Sequence, residues 1–338
     1  MFNEIFDRGV YLGSFSLNTQ TGETHLLSCI QEGLTALNIR ICDNPEDSNL
    51  NIIDISFISN CHEHSFDLLP YLGDCEVWKH KSLFLNISDF APRHYISDPS
   101  YSLISAHTTE FVGFPAGTRI PWGFGFQQRL LTLTENLDFT QPRKRVIIRN
   151  FKPSFNQSVR ESLDLVLLPQ LEKVMTIDKA LEDYSSHTQN DNFLTRLLDS
   201  RFCLAYCGQY GSNILLNPYI YNLLKDCQLT YSQDVFILRW DSWRLWESWV
   251  MGCIPITLDF EKYGFQLPVM PENWQHYIGL DLGKLEEDVD KLLSLSESQL
   301  DEISLNGRKW VIENYSPQAV AERVLTTGVD KIIGSVSY

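Results

Sequence analysis

No apolar run in this chain approaches the ~20 residues that a helix needs to cross a bilayer, and no charged-then-apolar leader opens it. The absence of both leads to the expectation of a soluble, cytoplasmic protein with no integral membrane segment. Basic residues are scarce. Lys and Arg number 27 against 43 Asp and Glu, a net charge of −16, so DNA, RNA and anionic membranes are not expected as main partners, because phosphate binding needs a basic footprint. The one basic cluster is Arg143-Lys144-Arg145, followed by Arg149 and Lys152. Metal-binding sets are missing too. The eight cysteines are scattered at 29, 42, 61, 75, 203, 207, 227 and 253, several inside apolar strands, which reads as buried free thiols rather than a disulfide framework. Cys203 and Cys207 have no paired Cys or His set to complete a zinc site, and His62-x-His64 supplies only two ligands. There is no internal repeat, low-complexity tract or heptad run.

What is present fits two domains of ordinary size. A length of 338 residues with 43% hydrophobic and 12% aromatic content allows each domain its own core. Alternating strands and helices open the chain. Strands are expected at 10–15, 39–42, 52–58, 83–87 and 103–106, with an amphipathic helix over 24–37. Several strands end in loops rich in Ser, Asn, Asp or His, where ligands sit in a parallel sheet. The polar segment 136–144, with Pro142 inside it, reads as the link to a second α/β half. That half starts with a strand at 145–149 and a helix over 158–174. Two further helices are expected within 285–314, and a terminal stretch that crosses back to the first domain. The resulting division is 1–140, 141–315 and 316–338.

The stretch 200–274 says most about function. It holds Ser200-Arg201-Phe202-Cys203-Leu204, then Asp241-Ser242-Trp243-Arg244-Leu245-Trp246-Glu247, then Gly252-Cys253-Ile254-Pro255-Ile256. A polar helix start next to a parallel strand presents amide N–H groups and the positive end of the helix dipole to an anion. A nucleotide diphosphate is the natural guest there.

At these residues the chain resembles the exostosin family of glycosyltransferases, whose nucleotide-sugar half carries a Ser-x-Phe-Cys-Leu strand, a Ser-x-Arg-hydrophobic-x-Glu helix and Gly-Cys-Ile-Pro-hydrophobic, in that order. The resemblance covers the second half. It also extends to the segment from Phe151 to Arg160, although Lys152-Pro153 stands where the family has glycine. It implies the GT-B fold class, two facing Rossmann-like domains with a cleft between them. The first would bind the acceptor and the second the nucleotide-sugar donor. The implied activity is transfer of a hexosyl or pentosyl group to a hydroxyl of a glycan or small molecule, with inversion.

On this reading Glu247 accepts both ribose hydroxyls, and Arg244 offers a guanidinium fork to the diphosphate. Ser242 caps the helix and can offer its hydroxyl to a phosphate. Gly252 either lets backbone approach the ligand closely or ends the helix. Arg149 and Arg160 are further phosphate candidates. For Glu247 and Arg244 the alternative is ordinary ion pairing on a helix surface. The stripe Trp243, Trp246 and Trp249 reads as core. The general base that inversion requires is sought in the first domain, at Asp89, His62 or His64; Asp89 can equally cap a turn. The only Asp-x-Asp triplet, Asp288-Val289-Asp290, falls on a helix face, so no metal and no cofactor beyond the nucleotide sugar is expected. Two other readings remain: a non-catalytic nucleotide- or carbohydrate-binding protein of the same fold, and a phage-type DNA-base glycosyltransferase, which the negative charge opposes.

Overall fold

The computed structural model describes residues 2–14, 25–56, 58, 67–73, 80–88, 96–98, 100–109, 119–151, 158–180, 191–212 and 235–335. The chain divides into two compact units. The first comprises Met1–Arg129, Gln266–Pro268 and Glu313–Tyr338, the second Leu130–Phe265 and Val269–Ile312.

The sheet of the first unit contains β1 (Val10–Ser14), β2 (Ile41–Cys42), β3 (Leu50–Asp54), β4 (Ser82–Asn86), β5 (Ser102–Ser105) and β6 (Arg119–Pro121), in the order β2-β1-β3-β4-β5-β6. Every neighbouring pair is parallel. All residues of β3 and β4 are buried, as expected of central parallel strands covered on both faces. Helices α1 (Phe2–Ile5) and α2 (His25–Ala36) precede β2. One core layer joins Leu26, Ile30 and Leu34 of α2 to Ile52, Leu83 and Ile104 of the sheet, and to Val320, Val324 and Leu325 near the C-terminus. The strand expected over 52–58 lies two residues earlier and stops at Asp54. Its carboxylate Oδ1 accepts the Ser56 N–H at 2.8 Å, a local bond that turns the chain out of the ladder.

Strands β7 (Lys144–Ile148), β8 (Thr176–Asp178), β9 (Ser200–Leu204), β12 (Ile254–Leu258) and β13 (Ile278–Leu280) make the second sheet, in the order β13-β12-β9-β7-β8. It too is parallel throughout. A separate antiparallel ribbon pairs β10 (Gln209–Ser212) with β11 (Val235–Leu238). After the short helix α3 (Gln128–Thr134), the long helix expected over 158–174 is two: α4 (Val159–Val166) and α5 (Leu168–Leu171). Pro169 at the start of α5 explains the break, since proline lacks the N–H and its ring crowds the preceding turn. Next come α6 (Asp191–Asp199), α7 (Trp243–Val250), α8 (Leu285–Ser294), α9 (Glu297–Tyr315) and α10 (Pro317–Ser335). The Trp stripe on α7 is divided: Trp246 and Trp249 are fully buried, whereas Trp243 is exposed. No helix among the described residues is long and apolar enough to cross a membrane.

Helix α10 packs along α2, with Gly33 at the closest approach. A Cβ built there would stand 2.0 Å from the Pro317 carbonyl oxygen and 2.6 Å from the Ala321 Cβ. Backbone cannot swing aside as a side-chain tip can. Gly33→Ala is therefore expected to lower stability by roughly 1–3 kcal/mol or more, as overpacking does, and the drop in Tm measures it.

Candidate functional site

In the second unit β7 has β8 on one side and β9 on the other, so the direction of winding reverses there. The carboxyl ends of β7 and β9 flank that switch point, the place where open α/β sheets bind ligands. Beyond β7 come Arg149, Asn150 and Phe151; beyond β9 come Ala205, Tyr206, Cys207 and Gly208.

Three guanidinium groups surround the fully buried ring of Phe151. The Cζ atoms of Arg149, Arg160 and Arg244 lie 4.3, 5.1 and 5.9 Å from its centroid, each within cation–π range. Tyr206 closes another side, edge-on at 5.4 Å. Arg149 is fully engaged with protein. Its Nε donates to both carboxylate oxygens of Asp164 at 3.1 and 3.2 Å, its Nη2 also binds Asp164, and its Nη1 donates to the Phe151 carbonyl at 3.1 Å. The Asp164 carboxylate raises the Arg149 pKa further. Tyr206 donates its hydroxyl to the same carboxylate at 3.3 Å, and burial holds that phenol well above its ordinary pKa.

Arg160 sits in the first turn of α4, which Ser158 caps by accepting the Glu161 N–H. One guanidinium nitrogen donates to Cys207 Sγ at 3.0 Å, while its Nε is buried with no hydrogen-bond partner among the described residues. Burial lowers the Arg160 pKa, and the nearby charge of Arg244 lowers it further. Two cations held close in a dry setting raise each other's free energy, and an anion relieves that cost.

Helix α7 supplies Arg244 and Glu247. Ser242 at its N-cap does not bond the helix amides; its hydroxyl donates instead to the Ala205 carbonyl at 3.1 Å, which ties the helix start to the end of β9. Arg244 donates through Nε to the Asn150 carbonyl, which ties the same start to the end of β7. Glu247, one turn on, is half-buried. Asp241 is buried and accepts the Trp246 indole N–H at 2.7 Å. Beneath the helix, burial raises the Cys203 thiol to about 11 and carries Cys253 well above its ordinary value. Neither is a thiolate at neutral pH, and only thiolates are good nucleophiles.

Gly252 lies at the opposite end of α7. The Gly252 N–H donates to the Trp249 carbonyl and the Cys253 N–H to that of Ser248. With φ 66° at Gly252, this is a Schellman stop. Its close approach is to protein: an added Cβ would meet Phe139 at 2.6 Å and Arg143 Nη2 at 2.8 Å. The basic run beside it belongs to that edge as well. Arg143 donates to the Met251 carbonyl at 2.9 Å, Lys144 pairs with Asp199 at 3.6 Å, and Arg145 pairs with Glu297 at 3.7 Å. Asp288, on α8, accepts the Asp281 N–H at 2.7 Å, while Asp290 is exposed. Among the described residues no three His, Cys, Asp or Glu are grouped as metal ligands.

The carboxyl edge of the first sheet gathers buried polar groups: Asp54 at the end of β3, Asn86 at the end of β4 with Ser88 beyond it, and Ser105 at the end of β5 with His107 beyond it. His107 is buried with φ 56° and meets Phe124 edge-on at 5.1 Å. A non-glycine residue held in the left-handed region is strained, and such strain gathers at functional sites. Its signal in the sequence is its place immediately beyond a strand. Asp89, His62, His64 and the Lys152-Pro153 loop lie outside the described residues.

No family model matches the chain, and no curated protein matches it. Solved structures similar to it include an alpha-glucosyltransferase in complex with UDP-glucose and DNA containing an abasic site. Identity there is 10%, covering 95% of this chain and 98% of that one, with a TM-score of 0.49. AviGT4, a glycosyltransferase involved in avilamycin A biosynthesis, aligns at 10% identity over 96% and 98% of the two chains, TM-score 0.49. Anabaena Alr3699/HepE in complex with UDP-glucose aligns at 9% identity over 94% and 99%, TM-score 0.45.

Proposed function

We propose that the chain is a nucleotide-sugar-dependent glycosyltransferase of the GT-B type, and that the switch point of its second unit holds the donor's nucleoside diphosphate. The observation that carries this reading is the junction where α7 starts. Arg160 and Arg244 are brought beside one buried ring, at a helix start whose N-cap side chain is turned away. Arg160 and Arg244 neutralise the diphosphate, and Glu247 receives the ribose hydroxyls. Arg149 holds Asp164 and the Phe151 carbonyl, and so fixes the loop on which Phe151 stands.

In the transfer step the acceptor oxygen attacks the anomeric carbon as the bond to the diphosphate breaks, and the diphosphate leaves with the electron pair. Negative charge grows on the leaving oxygens, where fixed cations stabilise it most. These two arginines take the place of a metal ion. The acceptor is a hydroxyl of a glycan or small molecule. Its proton goes to a base of the first unit, with Asp89 the leading residue and His62 and His64 the others. Asp89→Asn is expected to reduce transfer by at least a hundredfold, in line with the loss of general-base catalysis, while UDP affinity stays unchanged. Equal transfer by this variant would remove Asp89 from that role.

Cys207 provides a direct test of the location. It is half-buried, unlike Cys29, Cys42, Cys203 and Cys253, and it touches Arg160. With EDTA present, UDP is expected to slow iodoacetamide labelling of Cys207, read by peptide mass spectrometry, and to raise Tm. At one hundred times Kd a ligand adds about 2.7 kcal/mol. A rise in Tm with labelling unaffected would move the nucleotide elsewhere. No response to UDP, GDP, TDP or CMP would argue against the donor reading.

A further inference from the structure

The far end of α7 is also held by side chains, from α9 and from the segment that leads into β7. Arg308 on α9 donates through Nε to the Val250 carbonyl at 3.0 Å, and Arg143 donates to that of Met251 at 2.9 Å. Ser304 donates its hydroxyl to the Gly252 carbonyl at 2.6 Å. Between the two arginines lies Phe139, with the Arg308 and Arg143 Cζ atoms 3.9 and 5.3 Å from its ring centroid. Phe139 is the half-buried residue in the otherwise exposed run 135–141. The absent Cβ of Gly252 is what admits both Phe139 and Arg143. Arg308 also donates to Thr134 Oγ1 at 3.2 Å, so it reaches the end of α3. Cations at a helix C-terminus are favourable in themselves, but one exposed lysine would supply that. Here two guanidinium groups, an aromatic ring and a glycine are fitted to one helix end.

The helix between the clamp and the donor site has eight residues, about 12 Å at 1.5 Å per residue. It is short enough to move as a rod. A tilt of about 5° about one end shifts the other by about 1 Å, a displacement that can cost on the order of a hundredfold in rate at a reacting centre.

We propose that Phe139, Arg143 and Arg308 are positioning residues that set the tilt of α7. Through them, nucleotide bound at the Arg244 end is coupled to the order of the segment 137–143. This inference rests on the donor site proposed above. Coupling is reciprocal: nucleotide steadies the segment, and loosening the segment weakens nucleotide.

Amide hydrogen exchange on the full chain, with UDP as probe, tests it. In the wild-type protein UDP is expected to slow exchange at both 244–251 and 137–143. In Phe139→Ala only 244–251 responds, and the Kd for UDP rises about tenfold. Arg308→Gln gives a similar loss, and Arg308→Lys, which can still donate to Val250, restores most of the affinity. Unchanged UDP affinity in Phe139→Ala and Arg308→Gln, with only Tm lowered, would reduce the clamp to packing and overturn the proposal. Should UDP not bind, GDP, TDP or CMP serves as the probe, and if the wild-type protein binds none of them the donor reading fails first. The clamp is then judged in the nucleotide-free protein, where Phe139→Ala must speed exchange at 251–253; unaltered exchange there overturns it.

Discussion

Alanine at Arg244 is expected to lower kcat/KM by two to three orders of magnitude, about 3–4 kcal/mol of transition-state stabilisation, with the loss mainly in kcat. The cation acts on charge that develops as the diphosphate departs, so its contribution is larger in the transition state than in the bound ground state. Alanine at Glu247 should produce a loss of similar size but place it in KM, because a ribose contact is made equally before and during the reaction. Both side chains are half-buried, and neither change opens the core. Arg244→Ala also gives up the bond to the Asn150 carbonyl, roughly 1 kcal/mol of stability, so its Tm should fall slightly. Steady-state kinetics with each donor nucleotide separates the two roles. Near-normal turnover in either variant would dismiss its assignment.

The second large effect concerns Arg149, which sits in the same cluster but is tied to protein. Its side chain and that of Asp164 are 9% and 18% exposed, and Asp164 also takes the Tyr206 hydroxyl. Removing one member of such a pair leaves a charge poorly solvated and typically costs 3–5 kcal/mol. Arg149→Ala is therefore expected to lower stability by about 3 kcal/mol, and Asp164→Ala by about as much. The double variant should fall well short of the sum, the mark of direct coupling. Chemical denaturation of the four proteins measures this. An Arg149→Ala protein of full stability but weak nucleotide affinity would instead make Arg149 a phosphate ligand.

Much of the architecture was legible because parallel strands buried on both faces read as apolar runs, as 50–54, 82–86, 200–204 and 254–258 do. Helix α7 was visible from Ser242 through Gly252, since a cap residue and a left-handed glycine bracket it. Register and long-range partnership were less visible. The three arginines at Phe151 come from positions 149, 160 and 244, and only the sheet order brings β7 and β9 together. Asp164, which decides what Arg149 does, reads in sequence as an ordinary helix residue. The basic run Arg143-Lys144-Arg145 looked continuous with Arg149, yet the length of β7 puts the two at opposite edges of the sheet. Gly252 showed its need for a positive φ but not what approaches it. His107 was marked only by its place after β5; burial and backbone strain are properties of the fold.

Calorimetric titration of UDP into the wild-type protein and Arg244→Ala, both in EDTA, tests the central claim most directly. Saturable binding of UDP to the wild-type protein without metal is expected, with about tenfold weaker binding to the variant, since the larger share of the loss falls on the transition state. Equal affinities, or no binding of UDP, GDP, TDP or CMP to the wild-type protein, would contradict it.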